Sequence, residues 1–276
     1  MSSTPLAERP DTDDADKTAP ALAGRHACVT GGGHGIGAAI AGELARLGAN
    51  ITITGRNDEA LAKTAKQVGE VSGAACRWQH LDVGDDSALA AALSEARAAL
   101  GPITILVNNA GIAPSAPIGK LELDTWNAAM AVNATAPMRL AQEVLADMHP
   151  AGYGRIVNVA STAGLRGYPF VSAYVASKHA LIGLTRALAL ELAKGPVTVN
   201  AVCPGYTETA MAEQAMRNIM KGGKSEDEAR AILARPNPQG RLVAPAEVAQ
   251  AVGWLCLPTS SAITGQAIAV AGGEVM

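Results

Sequence analysis

The stretch His26-Ala-Cys-Val-Thr30 followed by Gly31-Gly-Gly-His-Gly-Ile-Gly37 decides the fold. A short β-branched run gives way, through a glycine cluster, to an Ala/Leu-rich segment of helical period over about 36–48. The same change of texture recurs along the chain. Runs at Ile51–Thr54, Ile103–Val107, Arg155–Val159 and Val197–Val202 alternate with helix candidates at about 58–72, 86–100, 122–148 and 173–194. Each helix is long enough for a crossover between parallel strands, and the strands carry few charges, as expected where helices cover both sheet faces. The expectation is an α/β, doubly wound parallel sheet in one domain.

The glycine cluster sits where a strand meets a helix, so backbone N–H groups and the helix N-terminus favour a pyrophosphate there. Gly31 lets the chain turn, Gly35 lets the backbone approach the phosphates, and Gly37 lets the helix pack close to the sheet. A glycine-rich turn alone is equally well a tight strand-to-helix connection, and only the motifs downstream decide. Around 20 residues beyond such a loop, an acid holds the ribose hydroxyl of NAD, whereas an arginine accommodates the additional phosphate of NADP. The second strand ends in Thr54-Gly55-Arg56, with no acid at Gly55, and Arg56 suits a phosphate. A solvated surface arginine is the plainer alternative. Asp58 falls in the first turn of the next helix, where a carboxylate favours the macrodipole.

Composition bounds the alternatives. The 276 residues are 49% hydrophobic and 17% charged, a well-packed globular composition. A net charge of -3 gives no basic footprint for nucleic acid. The four cysteines are scattered without a C-x-x-C pair, which argues against a zinc site or disulfide framework and fits a reducing cytoplasm. No apolar run approaches the length of about 18 residues needed to span a membrane. Residues 1 to about 22, acidic and proline-containing without the profile of a secretory signal, read as a disordered tail before a domain over 23–276. The segment at about 206–240, with Met-rich helical stretches broken by Gly222-Gly223 and Pro236-Asn-Pro238, is a candidate lid over a substrate.

Five motifs in order, Thr30-Gly-x-x-x-Gly-Ile-Gly37, Asn108-Asn-Ala-Gly111, Asn133, Ser161 with Tyr174-x-x-x-Lys178, and Pro204-Gly205, resemble those of the short-chain dehydrogenase/reductase family over nearly all of residues 24–273. The resemblance implies a Rossmann fold with a seven-stranded parallel sheet. It implies a catalytic tetrad of Asn133, Ser161, Tyr174 and Lys178, and no metal. It implies cofactor contacts from Gly31, Gly33, His34, Gly35, Ile36, Gly37, Arg56, Asp82, Val83, Asn109, Ala110, Gly111, Tyr174, Lys178, Pro204, Gly205, Thr207 and Thr209, with backbone at Tyr206 and Thr207 meeting the nicotinamide carboxamide. His34 stands where many NADP-preferring members carry a base. Asp82 is equally read as the cap of the helix at 86–100, and the asparagines at 108 and 109 as backbone-bonding residues.

Tyr174 and Lys178 are four apart on one helix face, so the ammonium lies near the phenol and is expected to lower its pKa, fitting the tyrosine for proton transfer. Ser161 holds the substrate oxygen, a strand-end cap being its plainer reading. Asn133 in mid-helix is locally unfavourable and signals a specific task or a helix distortion. His179 reads as surface, and Trp126, Trp254 and Phe170 as packing anchors, although Phe170 and Tyr168 also fall in the loop between Ser161 and Tyr174, at a substrate mouth.

The resemblance points to an NADP(H)-preferring oxidoreductase moving hydride between nicotinamide and a ketone or secondary alcohol. The runs Gly154–Thr162 and Val199–Gly205 look most like the β-ketoacyl thioester reductases of the family, polyketide ketoreductases included, so a CoA or acyl-carrier thioester is the leading substrate class. Small ketones, steroids and sugar alcohols stand as alternatives, and a non-catalytic NADP-binding redox sensor belongs to a different class. The family implies a homo-oligomer, dimer or tetramer, through the helices at 122–148 and 173–194. Neither a nucleic-acid nor a membrane partner is expected.

Overall fold

A computed structural model describes residues 19–276. Seven parallel strands, β1 (His26–Thr30), β2 (Asn50–Gly55), β3 (Cys76–His80), β4 (Ile105–Asn108), β5 (Gly154–Val159), β6 (Val197–Pro204) and β7 (Ala267–Val270), form one sheet of order β3-β2-β1-β4-β5-β6-β7. The helices are α1 (Gly35–Arg46), α2 (Asp58–Ser72), α3 (Asp86–Leu100), α4 (Leu123–Met130), α5 (Ala136–Met148), α6 (Ser172–Leu192), α7 (Ala210–Met220), α8 (Glu226–Ala234) and α9 (Pro245–Cys256).

Alternation along each strand sends neighbouring side chains to opposite faces. Ala27, Val29, Ile105, Val107, Val157 and Val159 join Ile40 and Leu44 of α1 and Val248, Val252 and Leu255 of α9 in one core. Cys28, Leu106 and Ile156 join Leu89 and Leu93 of α3 and Leu140 and Val144 of α5 in the other. Two apolar layers on a sheet buried from both sides explain why β1, β5 and β6 are buried throughout. The edge strand β3, Cys-Arg-Trp-Gln-His, is half exposed and polar, which is why it gives no apolar run.

Three expectations need correction. The chain is not loose up to residue 22: Leu22 is fully buried in the first core, and its N–H donates to Leu47 O at 2.8 Å. The rest of the tail assigned at 1–22 lies outside the described residues up to residue 18. The helix expected over 122–148 is two helices, α4 and α5, joined by a π-helical turn at Ala131–Thr135. Trp254 and Phe170 are not interior anchors, since both are exposed.

The strand order reverses between β1 and β4. A crevice therefore opens beyond their carboxyl ends, which is where ligands bind in open α/β sheets.

Candidate active site

The glycine loop leaves β1 and enters α1 at this crevice. Gly31 has φ +66°, a left-handed conformation that favours glycine. A Cβ on Gly37 would lie 2.2 Å from Gly31 O, so the first turn of α1 closes directly on the loop. Thr30 and Asn109 lock it from the β4 side. Thr30 Oγ1 accepts from the N–H groups of Asn109 (3.0 Å) and Ala110 (3.1 Å), and Asn109 Nδ2 donates to Thr30 O (2.9 Å) and Gly31 O (3.1 Å). Asn109 thus does the backbone-bonding work read from sequence, whereas Asn108 Nδ2 donates to a side chain, Asn158 Oδ1, at 2.8 Å.

The loop fits a dinucleotide phosphate on its own evidence. The cap position of α1, His34, makes no side-chain hydrogen bond, and no acid lies in the first turn. The side chains of Asn57, Asp85 and Ser225 cap α2, α3 and α8, while α4, α6 and α7 share the open cap of α1, so what sets α1 apart is the glycine loop leading into it. The first-turn donors of α1 are left for an anion, and the helix dipole favours one. Gly35, at φ +55°, faces Thr209: a Cβ there would sit 3.1 Å from the threonine Cγ2.

At the neighbouring end of the crevice, Arg56 and Asp82 come together, with Nη1 3.8 Å from Oδ2 and both side chains largely exposed. Asp85 rather than Asp82 caps α3, and Asp82 Oδ1 accepts from Gly84 N–H at 2.9 Å. The capping alternative for Asp82 is thereby removed. Asp58 Oδ1 instead meets His80 Nδ1 at 2.8 Å.

Beyond β5, Ser161 accepts from Ala163 N–H at 3.0 Å and caps a short 3-10 turn. Tyr174 and Lys178 project from the start of α6. Lys178 Nζ donates to Val159 O at 2.8 Å and lies 5.7 Å from the Tyr174 ring centroid. Burial holds the lysine down at about 8. Burial also raises the Tyr174 phenol above its usual value, and a hydrogen bond with Ser161 opposes that rise. The expected lowering of this phenol by the ammonium is therefore corrected: burial sets the direction, and the opposing influence is the Ser161 hydrogen bond rather than Lys178.

Asn133 is fully buried in the π-helical turn. Its Oδ1 accepts from Ile112 N–H (3.0 Å), and its Nδ2 donates to Ile112 O (2.8 Å) and Ser177 Oγ (2.9 Å). Ser177 precedes Lys178, so Asn133 ties the loop after β4 to α6 beside the lysine. A single widened turn at such a position is a familiar way to aim a side chain. Both sequence readings of Asn133, a specific task and a helix distortion, hold.

Pro204 ends β6, and Gly205 N–H donates to Val270 O at 3.1 Å. Thr207 Oγ1 then donates to Gly205 O (3.0 Å) and Thr209 Oγ1 to Thr207 O (3.2 Å), leading into α7. His179 bonds only its own helix, at Val175 O. Phe170 is the one non-glycine residue among those described with positive φ, +66°, and its carbonyl accepts from Ala116 N–H at 2.8 Å. Sequence reasoning missed Thr30, Ser177 and Glu274. The last hydrogen-bonds Tyr168, whose OH lies 2.8 Å from Thr162 Oγ1. Among the described residues no cluster of three or more potential metal ligands occurs, and no helix is long and apolar enough to cross a membrane.

Comparison with known proteins follows this geometry. The family model described as short chain dehydrogenase matches residues 25–219. A granaticin polyketide synthase putative ketoacyl reductase of Streptomyces violaceoruber is 40% identical, over 90% of this chain and 92% of its own. The 3-oxoacyl-[acyl-carrier-protein] reductase FabG of Salmonella typhimurium is 35% identical, over 92% and 98%. The crystal structure of a variant of actinorhodin polyketide ketoreductase with NADPH superposes with a TM-score of 0.86 at 37% identity, over 91% of this chain and 97% of that one. The chain is thus an oxidoreductase that belongs to the short-chain dehydrogenase family.

Proposed function

We propose that the chain is an NADPH-dependent ketoreductase whose substrates are β-ketoacyl thioesters of the polyketide or fatty-acyl type. The observation that carries the reading is the meeting of Ser161, Tyr174 and Lys178 beside an uncapped α1 N-terminus. The names of the relatives, a ketoacyl reductase and an acyl-carrier-protein reductase, support the substrate class, and the NADPH of the actinorhodin enzyme supports the cofactor. Arg56, with no acid at Gly55, supports NADPH over NADH.

Bound in the crevice, NADPH supplies hydride to the carbonyl carbon. The chain supplies everything else. The Ser161 oxygen already accepts from Ala163 N–H, which leaves its hydroxyl hydrogen to donate to the substrate carbonyl oxygen. Tyr174, its pKa raised, keeps its proton at neutral pH and gives it to the developing alkoxide. Lys178, fixed through Val159 O, stabilises the phenolate left behind. Asn133 is a positioning residue, holding Ile112 and Ser177 in register. The 206–240 segment closes over the substrate.

The test is NADPH and, separately, NADH oxidation against β-ketoacyl thioesters, a simple ketone, a steroid ketone and a sugar ketone. Turnover of the thioesters with NADPH, falling about a thousandfold in Tyr174→Phe, is the expected result. Turnover confined to another class of carbonyl sinks the thioester reading, and tight NADPH binding without turnover sinks the enzyme reading in favour of a redox sensor.

A further inference from the structure

The last turn of the chain puts a carboxylate at the mouth of the cleft, and no part of the mechanism above uses it. Glu274 Oε1 is held by the Tyr168 hydroxyl, which in turn meets Thr162 Oγ1, the residue after Ser161. Glu274 Oε2 lies 2.9 Å from where a Cβ on Gly205 would stand, so the carboxylate packs against the Pro204-Gly205 turn. Oε2 takes no hydrogen bond from any described residue, and Glu274 is only half-buried, which leaves that oxygen's lone pairs toward open space. The segment is well anchored: Gly272 has φ +60° and backs onto the Asn237 side chain, and Gly273 backs onto Pro238.

Burial first, and the Glu274 carboxylate second, raise the Tyr206 phenol, so the carboxylate lies within electrostatic reach of a side chain that follows the Pro204-Gly205 turn. Arg166 stacks over the Tyr168 ring at 5.0 Å, it is exposed to solvent, and no ion pair to Glu274 occurs among the described residues. We propose that Glu274, clamped by Tyr168 against Gly205, is a specificity determinant that excludes substrates bearing a free carboxylate and admits neutral β-keto esters and thioesters. Two like charges brought into a partly desolvated cleft repel, whereas an ester in the same place carries none.

This inference rests on the ketoreductase reading, and the experiment separates the two. Steady-state kcat/KM is measured for ethyl acetoacetate and for acetoacetate with wild type, Glu274→Gln and Glu274→Met. Glutamine keeps an oxygen for the Tyr168 hydroxyl, and methionine preserves length without charge. Wild type is expected to favour the ester, and both variants to lower the ester-to-acid ratio about tenfold, by faster turnover of the acid with ester turnover nearly unchanged. A purely structural role for Glu274 slows both substrates together and overturns the proposal. Normal ester turnover with a ratio shifted less than about twofold in both variants also overturns it, with the ketoreductase reading intact. Failure of wild type to reduce ethyl acetoacetate and β-ketoacyl thioesters alike, with either nicotinamide, overturns both.

Discussion

Two regions border the crevice, and they are held by different forces. On the sheet side, Thr30, Asn109, Asn133 and Lys178 are fixed by hydrogen bonds that reach across the fold, and Asn133 and Lys178 are buried. On the other side, α7 and α8 rest on a small apolar cluster, Ala212, Leu233, Ala234 and Leu242. One exposed ion pair, Glu208 with Arg230, links the start of the segment to α8, Glu213–Arg217 and Glu228–Lys224 are local to their own helices, and backbone bonds between Val243 and Tyr206 and Glu208 anchor its ends. Buried, mutually satisfied polar groups are costly to separate, whereas exposed ion pairs contribute little. The comparison teaches a division of labour. Groups that need fixed geometry are held by buried bonds to the sheet and to α6, whereas the α7–α8 segment, proposed above to cover the substrate, has the fewer buried ties.

The largest expected effect tests the rigid half. Gly37→Ala puts a methyl 2.2 Å from Gly31 O and 2.6 Å from Asn109 Nδ2, and neither neighbour can withdraw without opening the loop. Urea unfolding should show a loss of about 3 kcal/mol or more, with nicotinamide binding lost as well. On the other side, Gly222→Ala meets nothing closer than Ile219 O at 3.2 Å, and a clearly smaller loss is expected. Equal losses at the two glycines would end the distinction.

Lys178 gives a second test of similar size. Its folded pKa, about 8, lies below the ordinary lysine value of 10.5, so the folded chain bears a cost for the charge that is fully present below pH 8. The cost is relieved as pH rises from about 8 toward 10.5. Relative to Lys178→Met, wild type should gain about 3 kcal/mol of stability across that window. Measuring the difference between the two proteins cancels the buried thiols of Cys28 and Cys256, which push the other way because burial raises their pKa. A flat difference would mean that the ammonium is effectively solvated.

What was legible in the sequence follows the same division. Gly31, Gly37, Tyr174 and Lys178 announce themselves because their roles rest on local spacing: a turn, a close approach, one helix face. Asn133 signalled only that something was wrong with a helix, since its partners, Ile112 and Ser177, are 21 and 44 residues away. Leu22 was misread because a polar, proline-containing context hid one residue that docks under Leu47. The sign of the Tyr174 shift was missed because spacing reports a neighbouring charge but not burial, which sets the direction. Glu274 carried no signal, as its partners Tyr168 and Gly205 become neighbours only when β7 joins the sheet.

Arg56 stands between the two regimes. It lies at the rim, exposed, with Asp82 as a loose partner at 3.8 Å. Arg56→Ala should lower kcat/KM for NADPH about tenfold and leave the value for NADH nearly unchanged, the loss being that of one charge-assisted phosphate contact. Equal losses with both cofactors would assign the arginine to the loop's structure instead.

The smallest effect on stability belongs to Arg230→Ala, and it is the one that most sharpens the comparison. Arg230 of α8 pairs with Glu208, which lies between Thr207 and Thr209 at the mouth of the crevice, and both side chains are about half exposed. Solvent screens such a pair and side-chain entropy offsets it, so the melting temperature should stay at the wild-type value. The pair nonetheless joins the start of the proposed cover to α8, and on that proposal its loss biases the segment toward an open arrangement. Opening dilutes the population competent to bind, which raises KM for substrate without touching the tetrad, so kcat should hold. A fall in melting temperature would show that α7 and α8 are integral to the core. A fall in kcat with KM unchanged would show that the segment positions the reacting groups rather than admitting the substrate, and the division between a rigid sheet side and a movable cover would have to be abandoned.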